Sequence, residues 1–164
     1  MSARLGTSGD DINTLRRILR ECKVLAVVGL SAQWHRPSYF AAKYMLEHGY
    51  RVIPVNPQYR EVLGQRCYAS LREIPEKVDL VDVFRKTADV MPVAEDAIAI
   101  GARVLWQQIG VTSEQAAARA RAAGLETVMD RCVKIEHGRL FGGLSWVGVN
   151  TRVISAKRPR WLPY

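Results

Sequence analysis

Val24-Leu25-Ala26-Val27-Val28-Gly29-Leu30-Ser31-Ala32-Gln33-Trp34-His35-Arg36-Pro37-Ser38 decides the fold. Its first five residues are apolar without alternation, the pattern of a strand buried on both faces. Gly29 ends that run, and Pro37 suits the first turn of a helix. Strand, glycine turn and helix in this order open a parallel sheet, and the flanking sequence repeats the theme. The helix from Pro37 is expected to reach about His48, with Phe40, Tyr44 and Met45 inward and Gly49 as its left-handed stop. Tyr50–Val55 reads as a second strand. Pro54 removes a ladder donor there, which puts this strand near an edge, beside at most a short neighbour around Arg66–Tyr68. Further strands are expected at Val78–Phe84, Arg103–Gln107 and Glu126–Met129. Between them lie a helix from about Asp89 to Ile100, ended by Gly101, and a helix Ser113–Ala123, opened by a Thr112/Gln115 capping box and stopped by Gly124. Upstream, Asp10 or Asp11 caps a helix whose Leu15, Ile18 and Leu19 form one stripe. The sum is a doubly wound α/β domain of about five parallel strands with helices on both faces.

The 164 residues correspond to one domain, with 48% apolar and 24% charged residues, ordinary for a globular fold. The longest apolar runs, Val24–Leu30 and Val52–Val55, fall far short of the roughly 20 residues that span a bilayer. No apolar run follows the positive charge of the N-terminal stretch, so the expected location is cytoplasmic. Cys22, Cys67 and Cys132 are an odd number at irregular spacing, and His35, His48 and His137 are equally scattered. Neither a disulfide framework nor a metal site follows.

The net charge of +8 is unevenly spread. Arg139, Arg152, Lys157, Arg158 and Arg160 lie in a stretch without acids, leaving 19 basic and 16 acidic residues, +3, for the rest of the chain. This divides the sequence into a domain at 11–140 and a basic, partly apolar extension at 141–164. Leu144, Trp146, Val147, Val149, Val153 and Ile154 make the extension too apolar for a solvated end, so it is expected to pack on its own domain or on a second copy.

Open parallel sheets bind ligands beyond the carboxyl ends of their strands, where strand order reverses. Those ends are Gly29-Leu30-Ser31, Asn56-Pro57, Phe84-Arg85, Gln108-Ile109-Gly110 and Asp130-Arg131-Cys132. In the first, a glycine leading to a helix N-terminus suits a phosphate, because free N–H groups and the helix dipole favour an anion. The loop is neither G-x-G-x-x-G nor a P-loop. Ser31, Arg36 and Ser38 can supply donors that a glycine-rich loop would supply from its backbone. The second strand ends in Asn56-Pro57 instead of the acid that accepts from an NAD ribose, which suits a ligand with a phosphate near its ribose. Asp79 and Asp82, three apart on a strand, point to opposite faces and read as structural rather than as an acid–base pair.

These residues carry a family resemblance. Val27-Val28-Gly29-Leu30-Ser31, Arg36-Pro37-Ser38-Tyr39, His48-Gly49-Tyr50-Arg51-Val52-Ile53-Pro54-Val55-Asn56-Pro57, Val78-Asp79-Leu80-Val81-Asp82-Val83-Phe84-Arg85, Trp106-Gln107-Gln108-Ile109-Gly110 and Val128-Met129-Asp130-Arg131-Cys132 together resemble the small stand-alone CoA-binding proteins. Those are similar to the N-terminal nucleotide-binding domain of the succinyl-CoA synthetase α subunit. The likeness covers about Leu15 to Leu140 and implies a Rossmann-like fold and a site for the ADP portion of coenzyme A. By the resemblance, Gly29, Leu30 and Ser31 contact the pyrophosphate with Arg36 and Ser38 assisting. Asn56 and Pro57 border the ribose and adenine, and Phe84 and Arg85 flank the nucleotide. For Phe84, core packing and base stacking both remain open. Gln108 and Cys132 complete the set from the later strand ends.

The synthetases use a phosphorylated histidine on a further domain, and no nucleophile–base spacing is recognisable in this chain. The reading is therefore a CoA- or acyl-CoA-binding protein without catalysis, its partner the nucleotide, with no membrane and a homo-oligomer possible through the extension. Cys132, at the start of a helical turn Cys132–His137 where a helix N-terminus favours thiolate, reads either as a half-buried small residue without reactivity or as a thiol able to form a mixed disulfide with the CoA thiol. Two rivals stand beside this reading. One is an NAD(P)-dependent oxidoreductase on the same fold. The other is a nucleic-acid binder using the basic extension, with Trp146, Trp161 and Tyr164 as stacking residues.

Overall fold

A computed structural model describes residues 11–142. The chain runs α1 (Ile12–Glu21), β1 (Val24–Val28), α2 (Pro37–Glu47), β2 (Arg51–Val55), a small hairpin of β3 (Glu61–Val62) and β4 (Gln65–Arg66), β5 (Leu80–Val83), α3 (Val90–Ala99), β6 (Val104–Gln107), α4 (Glu114–Ala122), β7 (Glu126–Val128) and α5 (Val133–Phe141). The main sheet is parallel throughout, in the order β2-β1-β5-β6-β7. The expected doubly wound sheet of five strands is present. The order reverses between β1 and β5, which marks the switch point.

Each strand feeds two cores because its side chains alternate between faces. Leu25, Val27, Leu80, Val104 and Trp106 pack under α1, α2 and α5 with Leu15, Ile18, Leu19, Ala42 and Met45. Ala26, Val28, Val81, Val83 and Leu105 pack under α3 and α4, where Ala94, Ala97, Ala116 and Ala120 are fully buried. This two-sided burial explains the unbroken apolar strands. Asp11 is the N-cap of α1, accepting from the backbone N–H groups of Asn13 and Thr14. β2 is an edge strand of the main sheet; on its outer flank Tyr68 bridges to Val55 and donates its N–H to the Pro54 carbonyl. Pro54 is tolerated there because its ring occupies a flank where no main-sheet partner asks for its N–H.

Two local expectations are corrected. Phe40 is 44% exposed, while α2 buries Met45 as expected, together with Ser38, Ala41 and Ala42. The cap of α4 is Ser113, whose hydroxyl accepts from the Ala116 N–H, while the Thr112 N–H donates to the Thr87 hydroxyl. The expected packing of the extension and the stacking role of its aromatic residues lie outside the described residues. No helix among the described residues is long and apolar enough to cross a membrane.

Candidate functional site

The carboxyl ends of β1, β2, β5 and β6 and the start of α5 enclose one cavity of about 820 Å³. Its lining includes Gly29, Ser31, Arg36, Ser38, Asn56, Phe84, Arg85, Gln108 and Cys132. The structure thus brings together nine of the residues expected from sequence. Leu30 and Pro57 stay outside the lining: Leu30 is fully buried in the core, and Pro57 is exposed on the loop after β2.

The β1–α2 loop is held by its own side chains. The Ser31 N–H donates to the Ser38 hydroxyl at 3.1 Å, and the Ser31 hydroxyl accepts from the Gln33 N–H at 3.1 Å. No side chain caps α2, whose first turn, with Pro37 and Ser38, faces the cavity. Asn56 clamps this loop to the end of β2. Its amide donates to the Leu30 carbonyl at 3.1 Å and its Oδ1 accepts from the Gln58 N–H at 3.0 Å. Asn56 therefore acts first as a brace.

Gly29 has φ of +84°, and a Cβ there would sit 2.3 Å from the Phe84 carbonyl oxygen. The Gly29 N–H also donates to the Val55 carbonyl. The crossing of β1 and β5 at the switch point thus accounts for this glycine without a ligand. Phe84 is half-buried against the core beneath α2 and also lines the cavity, so packing and exposure to a ligand coexist.

Charge at the mouth is mainly positive. Arg36, Arg85 and Lys86 line it with one carboxylate, Asp89. None of the three cations belongs to an ion pair among the described residues; the Arg36 guanidinium donates from Nε to the side-chain Oε1 of Gln33, at 3.2 Å. Cations left without carboxylate partners around a concave site favour an anionic ligand.

The floor is different. Gln108 is buried and its amide donates to Oδ1 of Asp82, which is 1% exposed. Oδ2 of Asp82 has no partner, and burial pushes the Asp82 carboxyl up to about 7 despite the Gln108 bond. Asp82 was legible in sequence only as a structural acid within an apolar strand. Cys132 is the N-cap residue of α5. Burial raises its thiol pKa, and nearby Asp82 adds to this against the N–H groups of Ile135 and Lys134. Of the two readings of Cys132, this favours the unreactive residue: the low dielectric outweighs the helix terminus. Lys86, Gln33 and Tyr59 were missed. Lys86 follows Arg85 on the same loop and was readable from the strand end, whereas Tyr59 arrives by a turn that no spacing reveals.

Gln107 and Gln108, adjacent on one motif, part company. Gln107 is fully buried; it accepts from the Ser113 N–H at 2.7 Å and donates to the Ser113 carbonyl at 3.0 Å. It anchors α4, while Gln108 turns to the cavity.

Comparison with known proteins follows the same outline. A family model described as a CoA binding domain matches residues 23–138, which contain the sheet and every loop lining the cavity. The uncharacterized protein YneT of Bacillus subtilis is 39% identical over 123 residues, covering 75% of this chain and 91% of its own length. An ADP-forming acetate–CoA ligase of Archaeoglobus fulgidus is 45% identical over 58 residues, 35% of this chain and 8% of the ligase. The structure of a hypothetical protein from Pyrococcus horikoshii superimposes with a TM-score of 0.80 at 42% identity, covering 87% of this chain and all of that one.

Proposed function

The chain belongs to the CoA-binding domain family, and from that premise we propose that its cavity holds coenzyme A or an acyl-CoA. The observation that carries the reading is the coincidence of the family match with a cavity whose mouth bears Arg36, Arg85 and Lys86, free of ion pairs among the described residues. A pyrophosphate at the Gly29–Ser38 loop meets the first turn of α2, where N–H groups and the helix dipole favour negative charge. A second phosphate finds Arg85 or Lys86 across the opening. The function is binding, without a catalytic step in this chain. Among the lining residues the acyl-accepting candidates are Ser31, Ser38 and Cys132. The Ser38 hydroxyl accepts from the Ser31 backbone N–H, the Ser31 hydroxyl accepts from the Gln33 N–H, and burial raises the pKa of the Cys132 thiol.

Calorimetric titration of the purified chain tests this. CoA is expected to bind one site per chain and to be displaced by acyl-CoA but not by NAD or NADP. Displacement of CoA by NADP at lower concentration overturns the proposal in favour of an oxidoreductase site.

A further inference from the structure

We propose that Asp82 is a positioning residue that sets the hydrogen-bond polarity of the cavity floor, holding the Gln108 amide with its carbonyl toward the ligand. This rests on the reading of the cavity as a nucleotide site, and it assigns the floor to a ligand N–H or O–H donor.

The geometry is specific. Gln108 lines the cavity, and its Nε2 is turned away from it to donate to Asp82 Oδ1. Among the described residues, Asp82 Oδ2 is the one buried side-chain nitrogen or oxygen without a partner, so the Oε1 of Gln108 is left to the cavity. An ionised carboxylate only accepts, so it permits this amide orientation and no other. A protonated Asp82 permits a second. With the proton on Oδ1, the acid donates to Gln108 Oε1 and the amide NH₂ faces the cavity instead. One buried proton thereby exchanges an acceptor for a donor at the floor.

The surroundings leave this exchange to Asp82 alone. On β1 and β6 its sheet neighbours are Val27 and Trp106, which carry no charge. From the α5 side the titratable group that senses Asp82 is the Cys132 thiol, raised and neutral. Glu136, also on α5, is held by Arg131 and Arg139. Helices α1 and α2 cover this face with the apolar Leu15, Ile18, Leu19, Ala41 and Met45. Burial pushes the Asp82 carboxyl up to about 7, so the exchange falls in the physiological range.

Two measurements test the proposal. In the ligand-free protein, the Gln108 side-chain amide resonances, assigned by their loss in Gln108→Met, are expected to titrate between about pH 6 and 8.5 and to be pH-independent in Asp82→Asn. In calorimetry with CoA, wild type and Asp82→Asn are expected to bind alike near pH 6. Above pH 8 the wild type should bind about three- to tenfold more tightly, the range of one neutral hydrogen bond. Taking the ratio at each pH cancels titration of the CoA phosphates. Gln108 resonances that do not move with pH overturn the proposal, and so does a ratio that stays at one across the range. Absence of CoA binding at every pH, with the Gln108 resonances still titrating through Asp82, overturns the CoA reading while upholding the Asp82–Gln108 device.

Discussion

At the scale of single residues, two buried titratable groups oppose one another. Burial pushes Asp82 up to about 7 from an ordinary 3.8, so the folded state binds more protons than the unfolded between those values, and stability falls as pH rises through that window. His137, accepting or donating at Nδ1 with the Tyr44 hydroxyl at 3.0 Å, is pushed down to about 4 by burial, then by His48 and Lys23. Its contribution is complete above 6.5 and is lost as pH falls toward 4. Each slope masks the other in the wild type. Asp82→Asn should therefore raise the unfolding free energy at pH 8 by about 2 kcal/mol, with little gain at pH 4, and leave a profile that declines on the acid side. Denaturant melts across pH check both limbs; a variant that is less stable at pH 8 than wild type contradicts the assignment. Gly29 behaves differently. Gly29→Ala places a Cβ against the Phe84 backbone in a left-handed conformation and should cost about 3 kcal/mol or more of fold stability by chemical denaturation. Sequence pointed to Gly29 as a phosphate contact, yet the packing partner that requires glycine lies 55 residues away and is invisible locally.

At the scale of elements, periodicity identified every strand of the main sheet and helices α1 to α4, while α5, expected only as a turn at Cys132–His137, runs on to Phe141. What it misplaced depends on contacts between elements. Thr112 and Ser113 are equally good caps by type, and the choice falls to Ser113 because the buried Gln107 side chain grips both its N–H and its carbonyl. Ser113→Ala should cost about 1 kcal/mol through loss of the cap. Gln107→Ala should cost more, about 2–4 kcal/mol, since it strands two backbone groups and opens a cavity in the core. Thermal melts of the two variants order them directly, and equal losses would mean that the clamp carries no weight beyond the cap. Phe40 went astray for a related reason. The seam of α2 with α5 is filled by Tyr44 and His137, and the Phe40 ring is left beside Lys134 at 5.8 Å, a contact that the helical spacing of Phe40 cannot announce.

At the scale of the whole molecule, the switch point between β1 and β5 turns four separate strand ends and the start of α5 into one concave surface, and this assembly was readable from sequence because topology dictates where strand ends gather. The balance of charge at the mouth was only half readable, since the lack of ion-pair partners for Arg36, Arg85 and Lys86 among the described residues, even with Asp89 in the same lining, depends on how the loops fold. That balance leads to the prediction for intact protein and ligand. A ligand that binds the native state alone stabilises it by about 2.7 kcal/mol at a hundredfold excess over its Kd, so CoA should raise Tm clearly in a thermal-shift assay. The Arg36 side chain is exposed and makes a single bond, to Oε1 of Gln33, so Arg36→Ala should leave the ligand-free Tm unchanged. The same variant should weaken CoA by about 1.5–3 kcal/mol, the worth of a hydrogen bond to a charged group. Dephospho-CoA should separate the cations further. If Arg85 or Lys86 meets the 3′-phosphate, wild type discriminates against dephospho-CoA and the Arg85→Ala/Lys86→Ala double variant does not. NAD should give little shift, because Asn56 is spent on Leu30 and Gln58 and leaves no carboxylate for a ribose. A larger shift with NAD than with CoA, retained in Arg36→Ala, would place a different nucleotide in the cavity and reassign the cations at its mouth.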